Sequence, residues 1–352
     1  MENDEIKQAG NTKKFLRRNR VAVALWLSFW VFVFFIYEYS KWEHKSGLTS
    51  DDIIRQVLGE QLNKDVSKLG KEDFEKLTTF TIEQKQLSNI KLLSKFKNLQ
   101  EFKLNYIQFL YRDIPKWGKV LAKVGIVDLS KLSSIDLRPL KNLAALKSLD
   151  LMLTPVSDIT PLKGLVNLEI LSLLDTQVSD FESLKKLTNL KSLNLGGTCI
   201  SDLEPIKNLT NLEYLMLAST KVSNLEPIKD LKKMKGLSLS YTKVSDFESM
   251  KDLRNLEFLD VSGTCFNDLE LLRNMTNLNI LYISETGVLS LEPLRNFSNL
   301  HILIISGTSV SDIAILKEFK NLTELYIANC KYITDEQVED LQKALPNCKI
   351  VR

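Results

Sequence analysis

A threonine returns every 22 residues through most of this chain, at Thr154, Thr176, Thr198, Thr220, Thr242, Thr264, Thr286 and Thr308, and the next step lands on Cys330. Self-similarity at a fixed period of this size constrains the fold more than any local propensity, because each copy must be one supersecondary unit stacked on the next. Eight residues before each threonine stands an apolar residue, with two more at the fourth and sixth places, as in Leu146, Leu149 and Leu151 or Leu190, Leu193 and Leu195. The unit reads LxxLxLxxTxVSDLxPLKxL.

The triplet can be followed outward. Val124, Val127 and Leu129 lie one period earlier, Leu99, Phe102 and Leu104 precede those by 25 residues, and Leu77, Phe80 and Ile82 stand 22 further back. Toward the other end come Leu322, Leu325 and Ile327, then a closing strand at Leu345, Cys348 and Ile350. Twelve full repeats are expected, starting at 77, 99, 124, 146, 168, 190, 212, 234, 256, 278, 300 and 322, plus the terminal half.

Each element of the unit has a physical reason. The LxL core alternates with period two, so its leucines point inward from a short strand and the residues between them point out. One such strand cannot bury its own face, whereas parallel stacking on the next copy builds a continuous core. The threonine hydroxyls are expected to bond neighbouring backbone and, stacked, to form a ladder. Asp158, Asp180, Asp202, Asp246 and Asp312 stand where a carboxylate caps the free N–H groups of a helical turn. Pro139, Pro161, Pro205, Pro227 and Pro293 follow within the first turn, where a missing N–H costs little. Leu162 or Ile206 then packs the turn back against the strands.

These residues resemble the leucine-rich repeats, and the 22-residue TxVSDLxPLKxL form is similar to the internalin-type repeats of bacterial surface proteins. The resemblance spans residues 53 to 352. It implies an α/β repeat solenoid, an arc of parallel concave strands and short convex helical turns, about 55 Å long at ~4.8 Å per strand. The ends of such an array need covering. Residues 50–76 carry Ile53, Ile54, Val57 and Leu58 on one helical face and are expected as an N-terminal helical cap before repeats at 77–333. TDEQVEDLQKAL, capped by Thr334 or Asp335 and carrying Val338, Leu341 and Leu345, opens a C-terminal cap at 334–352.

The N-terminus is of a different kind. VAVALWLSFWVFVFFIY, residues 21–37, holds Ser28 as its one polar residue, and at ~1.5 Å per residue such a stretch makes about 25 Å of helix. It reads as a short membrane span within an uncleaved signal anchor at 21–39, since YEYSKWEHK offers no small-residue cleavage site. Lys7, Lys13, Lys14, Arg17, Arg18 and Arg20 precede it, against Lys41 and Lys45 just after. The positive-inside rule then leaves the tail at 1–20 in the cytoplasm and puts the repeats, after a linker at 40–49, on the other side of a cell membrane crossed once. Tyr37, Tyr39 and Trp42 suit the outer interface. A partner of the chain is therefore the lipid bilayer, through residues 21–39.

Charge and cysteine usage limit the function further. The first twenty residues carry a net +3 (six basic, three acidic), equal to the whole chain's 47 − 44 = +3, so the rest is balanced and no nucleic-acid partner is expected. Cys199 and Cys265 stand three repeats apart, about 14 Å at strand spacing, beyond the ~7 Å reach of a disulfide. Unpaired thiols of this kind fit a cytosol, against the charge rule, which carries more weight here. His44 and His301 are too distant to share a site, and CxxC, GxGxxG and GxSxG are absent. The recurring aspartates are explained as caps, and GGTC at 196–199 as small residues after a strand. The expectation is a protein that is not an enzyme and holds no metal or cofactor.

What is left is the outward face of the strands. Its later repeats present Tyr214 and Met216, Phe258 and Asp260, Ile280 and Tyr282, Ile302 and Ile304, then Tyr326, interrupted by Gly236 and Ser238. Earlier repeats carry Ser148, Asp150, Ser172, Ser192 and Asn194 at the same places, which strand propensity alone does not explain. Exposed aromatic stripes mark interfaces, so these nine residues are the expected site for a protein partner. The irregular stretch 106–125, with Tyr106, Tyr111 and Trp117, is a second candidate on equal terms with a merely degenerate repeat. The reading is a noncatalytic, membrane-anchored recognition protein binding through its concave face. The alternatives are a cytoplasmic-facing scaffold or phosphatase-regulator-like protein and a structural envelope protein. The chain has no LPxTG-type sorting tail, so host attachment is not expected.

Overall fold

The computed structural model describes residues 49–83, 87, 89–105 and 134–352. Twelve short strands lie in one parallel sheet in chain order. They are β1 (Thr79–Glu83), β2 (Glu101–Asn105), β3 (Ser148–Asp150), β4 (Ile170–Ser172), β5 (Ser192–Asn194) and β6 (Tyr214–Met216). β7 (Gly236–Ser238), β8 (Phe258–Asp260), β9 (Ile280–Tyr282), β10 (Ile302–Ile304), β11 (Glu324–Tyr326) and β12 (Lys349–Val351) complete it. Between strands the chain returns through short 3-10 turns such as Thr160–Gly164, Glu204–Ile206 and Glu292–Leu294.

Alternation sets the core. In each of β3 to β11 the central strand residue and the one two places on are buried, as Leu149 and Leu151 or Leu193 and Leu195 are, and a turn residue such as Leu162 or Ile206 closes the layer from the other side. Each such side chain contributes about 1.5–3 kcal/mol by leaving water. In the first repeats phenylalanines do this work: Phe80 packs against Phe96 at 5.0 Å and Phe102 at 6.4 Å between ring centroids.

Polar groups at the strand exits are satisfied by two separate devices. Each of the eight recurring threonine hydroxyls donates to the carbonyl three residues back in its own repeat, Thr154 to Leu151 at 2.6 Å, Thr198 to Leu195 at 2.6 Å and Thr308 to Ile305 at 2.7 Å among them. The expected threonine ladder is thus a stack of local bonds. The bonds that cross between repeats come from the preceding residue, whose N–H reaches the next strand exit, as from Leu153 to Leu174 O at 2.8 Å and Tyr241 to Ser262 O at 2.8 Å. That residue is left-handed in nine successive repeats: Leu153, Asp175, Ser219, Tyr241, Glu285 and Asn329 as well as Gly197, Gly263 and Gly307. The small residues of GGTC therefore include one, Gly197 at φ 69°, that answers a backbone demand.

The aspartates cap as expected, one place earlier than the usual helix N-cap. Asp158, Asp180 and Asp202 accept the N–H two residues on, at 2.8–2.9 Å, while the residue between occupies the cap itself. This is an Asx turn leading into the 3-10 turn. Asn224 does the same for Glu226 at 2.9 Å. A second ladder runs between repeats: the amides of Asn167, Asn189, Asn211 and Asn255 donate to Ala144, Val166, Thr188 and Lys232 carbonyls at 2.8–2.9 Å.

Helices stand at both ends of the described array. α1 (Ser50–Leu62) buries Ile54 and Leu58 in the common core with Ile53 and Val57 half-buried, and α2 (Lys71–Lys76) adds Phe74. α3 (Asp335–Ala344) is capped by Thr334, which accepts the Gln337 N–H at 3.2 Å while the Gln337 side chain accepts the Thr334 N–H at 3.0 Å. Leu341 is its buried residue, Leu345 is buried just after its end, and Val338 packs against the same core.

β2 pairs with β3, Glu101 with Ser148, a register step of 148 − 101 = 47 positions. The repeat expected on Val124, Val127 and Leu129 and the irregular stretch 106–125 lie outside the described residues. One expectation is corrected, since the closing strand is shifted: Ile350 pairs with Leu325 where spacing had matched Cys348 to it, and Cys348 precedes β12. An even shift of two preserves which face points inward. The N-terminal tail and the expected span at 21–39 lie outside the described residues, among which no helix is long and apolar enough to cross a membrane.

Candidate functional site

Parallel register turns the outward strand positions into two adjacent columns. The first runs Ser148, Ile170, Ser192, Tyr214, Gly236, Phe258, Ile280, Ile302, Glu324 and the second Asp150, Ser172, Asn194, Met216, Ser238, Asp260, Tyr282, Ile304, Tyr326. All nine stripe residues named from sequence fall in these columns, on β6 and on β8 to β11. Tyr214 is exposed and the other eight are half-buried. The gap at Gly236 and Ser238 is filled from both sides, since a Cβ on Gly236 would meet Tyr214 Cδ1 at 2.7 Å and Phe258 Cδ1 at 3.6 Å. Phe258 in turn meets Tyr282 edge to face, 5.5 Å between centroids and 87° between planes. The result is a contiguous aromatic and aliphatic patch on a sheet face that parallel strands ordinarily keep covered.

Carboxylates punctuate the patch. Asp260 accepts the Ser262 N–H at 3.0 Å and the Ser238 hydroxyl at 3.2 Å, and the Tyr326 hydroxyl donates to Glu324 at 2.5 Å. Desolvation, then the charges of Asp260 and Glu324, push the Tyr282 phenol above its ordinary range. The hydrogen bond to Glu324, followed by desolvation, does the same for Tyr326.

Sequence reasoning missed two members. Ile170, 47 % exposed on β4, places an apolar residue in the half taken as polar. Tyr241 is the larger omission: it sits in the left-handed position at φ 55°, its ring lies over Gly263, and its hydroxyl reaches Glu285 Oε2 at 3.3 Å across two repeats. It is 52 % exposed, and burial of its inner edge followed by the charge of Glu285 pushes its phenol up. The signal was available, because Gly197, Gly263 and Gly307 share its register and mark a backbone that a bulky side chain adopts at a cost of about 1–2 kcal/mol.

A groove of about 530 Å³ beside the earlier strands is lined by Lys147, Glu169, Asn189 and Lys191 among others. Of its charges Lys191 pairs with Glu169 at 2.6 Å, and the next repeats continue the pattern with Lys235 and Glu213 at 2.6 Å. Surface pairs of this type join repeats and add little stability. His301 bonds the Asn299 carbonyl through Nδ1 at 2.7 Å. Among the described residues no cluster of histidine, cysteine or carboxylate side chains has metal-site geometry. All four cysteines are free thiols, with Cys199 and Cys265 exposed.

Residues 166–208 match the family of leucine-rich repeats, two copies. Comparison with curated protein sequences finds no match. Among solved structures, the chain is similar to an internalin, InlF, of Listeria monocytogenes, at 26 % identity and a TM-score of 0.67, over 85 % of this chain and 87 % of that one. A leucine-rich repeat protein of Leptospira interrogans shares the fold at 23 % identity and a TM-score of 0.58, over 81 % of each chain. The functional domain of InlJ from Listeria monocytogenes shares it at 15 % identity and a TM-score of 0.58, over 86 % of this chain and 70 % of that one. Residues 166–208 thus carry leucine-rich repeats, and the described fold is a parallel-strand solenoid similar to those of internalin-type proteins.

Proposed function

We propose that this solenoid is a noncatalytic recognition protein that takes a protein partner along the later half of its concave sheet. One observation carries the reading: Tyr214, Phe258, Tyr282 and Tyr326 are joined by Ile280, Ile302 and Ile304 into one patch, while the equivalent earlier positions hold Ser148, Asp150, Ser172, Ser192 and Asn194, with Ile170 the one apolar residue among them. Aromatic anchors dominate protein interfaces, and an evenly distributed strand propensity would not confine them to one half. The test is a triple variant with Tyr214, Phe258 and Tyr282 changed to serine. Loss of partner capture with an unchanged unfolding temperature supports the reading, and unchanged capture defeats it.

We further propose that residues 21–39 anchor the chain in a cell membrane, tail inside and repeats outside. The apolar run and the six basic residues before it support this placement. A second reading, a scaffold facing the cytosol, is favoured by the exposed free thiols of Cys199 and Cys265. Protease added to intact cells, read by an epitope placed after Arg352, decides between them. In a cell with an outer membrane the measurement is repeated on spheroplasts. Digestion from outside supports the anchored ectodomain, and protection of spheroplasts reverses the topology.

A further inference from the structure

Three carboxylates stand within or beside the aromatic patch: Asp260 on β8, Glu324 on β11, and Glu285, which holds the Tyr241 hydroxyl at the strand exit. Some surface carboxylates between repeats are matched with lysine or arginine, as Glu169, Glu213, Glu248 and Glu292 are, whereas none of the described ion pairs includes these three. Their hydrogen bonds come from neutral donors only: the Ser262 N–H and Ser238 hydroxyl on Asp260, the Tyr326 hydroxyl on Glu324 and the Tyr241 hydroxyl on Glu285.

The charge of Asp260 is not needed for the fold. Its Oδ1 accepts the N–H two residues on at 3.0 Å, and Asn194 makes the same bond to Gly196 at 3.0 Å in the equivalent place with no charge at all. The negative charge is therefore free to act outward. It does so beside the faces and edges of Phe258, Tyr282 and Tyr241, and such rings attract cations through their quadrupole.

We propose that the occupant of the patch is a protein segment presenting an arginine or lysine side chain, whose cationic head sits between Asp260 and the rings of Phe258, Tyr282 and Tyr241, with Glu285 and Glu324 adding to the attraction. This rests on the concave-face reading above and gives its partner a chemistry. The aromatic surface supplies area, and charge complementarity supplies choice of partner and orientation. From its left-handed position Tyr241 lays its ring over Gly263 at the strand exit, next to the strand columns.

The experiment selects peptides from a random dodecapeptide display library on the full chain held in detergent, then measures each selected peptide against three variants and two salt concentrations. Asp260→Asn keeps the Ser262 bond and removes the charge; Phe258→Ser and Tyr282→Ser remove the rings. The expected result is a set of stripe-dependent peptides enriched in arginine and lysine, weakened about tenfold by Asp260→Asn and again by raised salt. Stripe-dependent peptides that are apolar or acidic and indifferent to Asp260→Asn would overturn the cationic proposal while leaving the concave-face reading intact. Selected peptides indifferent to the ring variants, or no stripe-dependent peptide at all, would overturn both. Stripe-dependent self-association in sedimentation would assign the patch to a second copy of the chain instead.

Discussion

The ring of Tyr214 on β6 lies against the bare backbone of Gly236 on β7, so close that a Cβ there would stand 2.7 Å from Cδ1. Phe258 approaches the same glycine from β8. Glycine in a strand usually weakens it; here its lack of a side chain lets two aromatic residues on alternate strands close toward each other. Gly236→Ala is expected to swing Tyr214 outward and split the patch. Alanine's better strand entropy, ~0.5–1 kcal/mol, offsets part of the displaced contact, so unfolding should change little while partner capture falls. A large loss of stability with intact capture would contradict the arrangement.

The Asx turns give a prediction with an internal control. Asp180→Ala removes the acceptor of the Glu182 N–H, 2.9 Å away, and should cost about 1 kcal/mol in urea unfolding. Asp180→Asn should cost much less, since Asn224 already serves Glu226 at 2.9 Å. Equal losses for the two variants would mean that the charge, rather than the hydrogen bond, matters.

Thr198→Val keeps shape and removes the hydroxyl that donates to Leu195 O at 2.6 Å. The carbonyl retains only the longer bond from the Thr198 N–H at 3.3 Å. A loss of about 1 kcal/mol is expected in urea unfolding. Because the bond is local, Thr198→Val and Thr242→Val should add, as independent sites do; strong coupling between them would restore the cross-repeat ladder.

These particulars show what the sequence could and could not convey. Inward leucines, capping aspartates and the outward columns were all legible, because each repeats in one register and a single physical demand explains every copy. The repeat read on Val124, Val127 and Leu129 lies outside the described residues, and Leu132 stands where its period would place the threonine. Just after it Asp136 accepts the Arg138 N–H at 2.9 Å, so the turn there uses the same Asx device as the later repeats. Asparagines such as Asn189 carry no signal of their role in the sequence, and their bridging of one repeat to the last needed coordinates to see. Tyr241 was hidden for a different reason, since its position is defined by backbone handedness, which glycines in register only hint at.

Acid should loosen the N-terminal helices first. Asp73 accepts Lys64 Nζ at 2.6 Å and the Gly70 N–H at 2.7 Å, and the Lys64 bond, then the Gly70 bond, hold its carboxyl below the ordinary aspartate range. A carboxyl lowered on folding adds stability that is complete above its unfolded value of about 3.9 and is lost as pH falls through the folded value. Hydrogen exchange of α2 amides should therefore accelerate as pH is taken from 5 toward ~3, after correction for intrinsic rates. Asp73→Asn should remove that acceleration, and its persistence would place the acid-sensitive group elsewhere.

Recognition through the concave face is tested most directly by site-specific photo-crosslinking in the native cell. A photoreactive residue is placed in turn at Tyr282 and Ile302 on the stripe, and at Lys163 and Glu182 on the turns opposite. If the stripe binds, a discrete protein adduct of constant mass forms from Tyr282 and Ile302, fails to form from Lys163 and Glu182, and disappears when Phe258 is changed to serine. Adducts confined to the turn positions, or absent from the stripe in cells where the protein is abundant and folded, would contradict it.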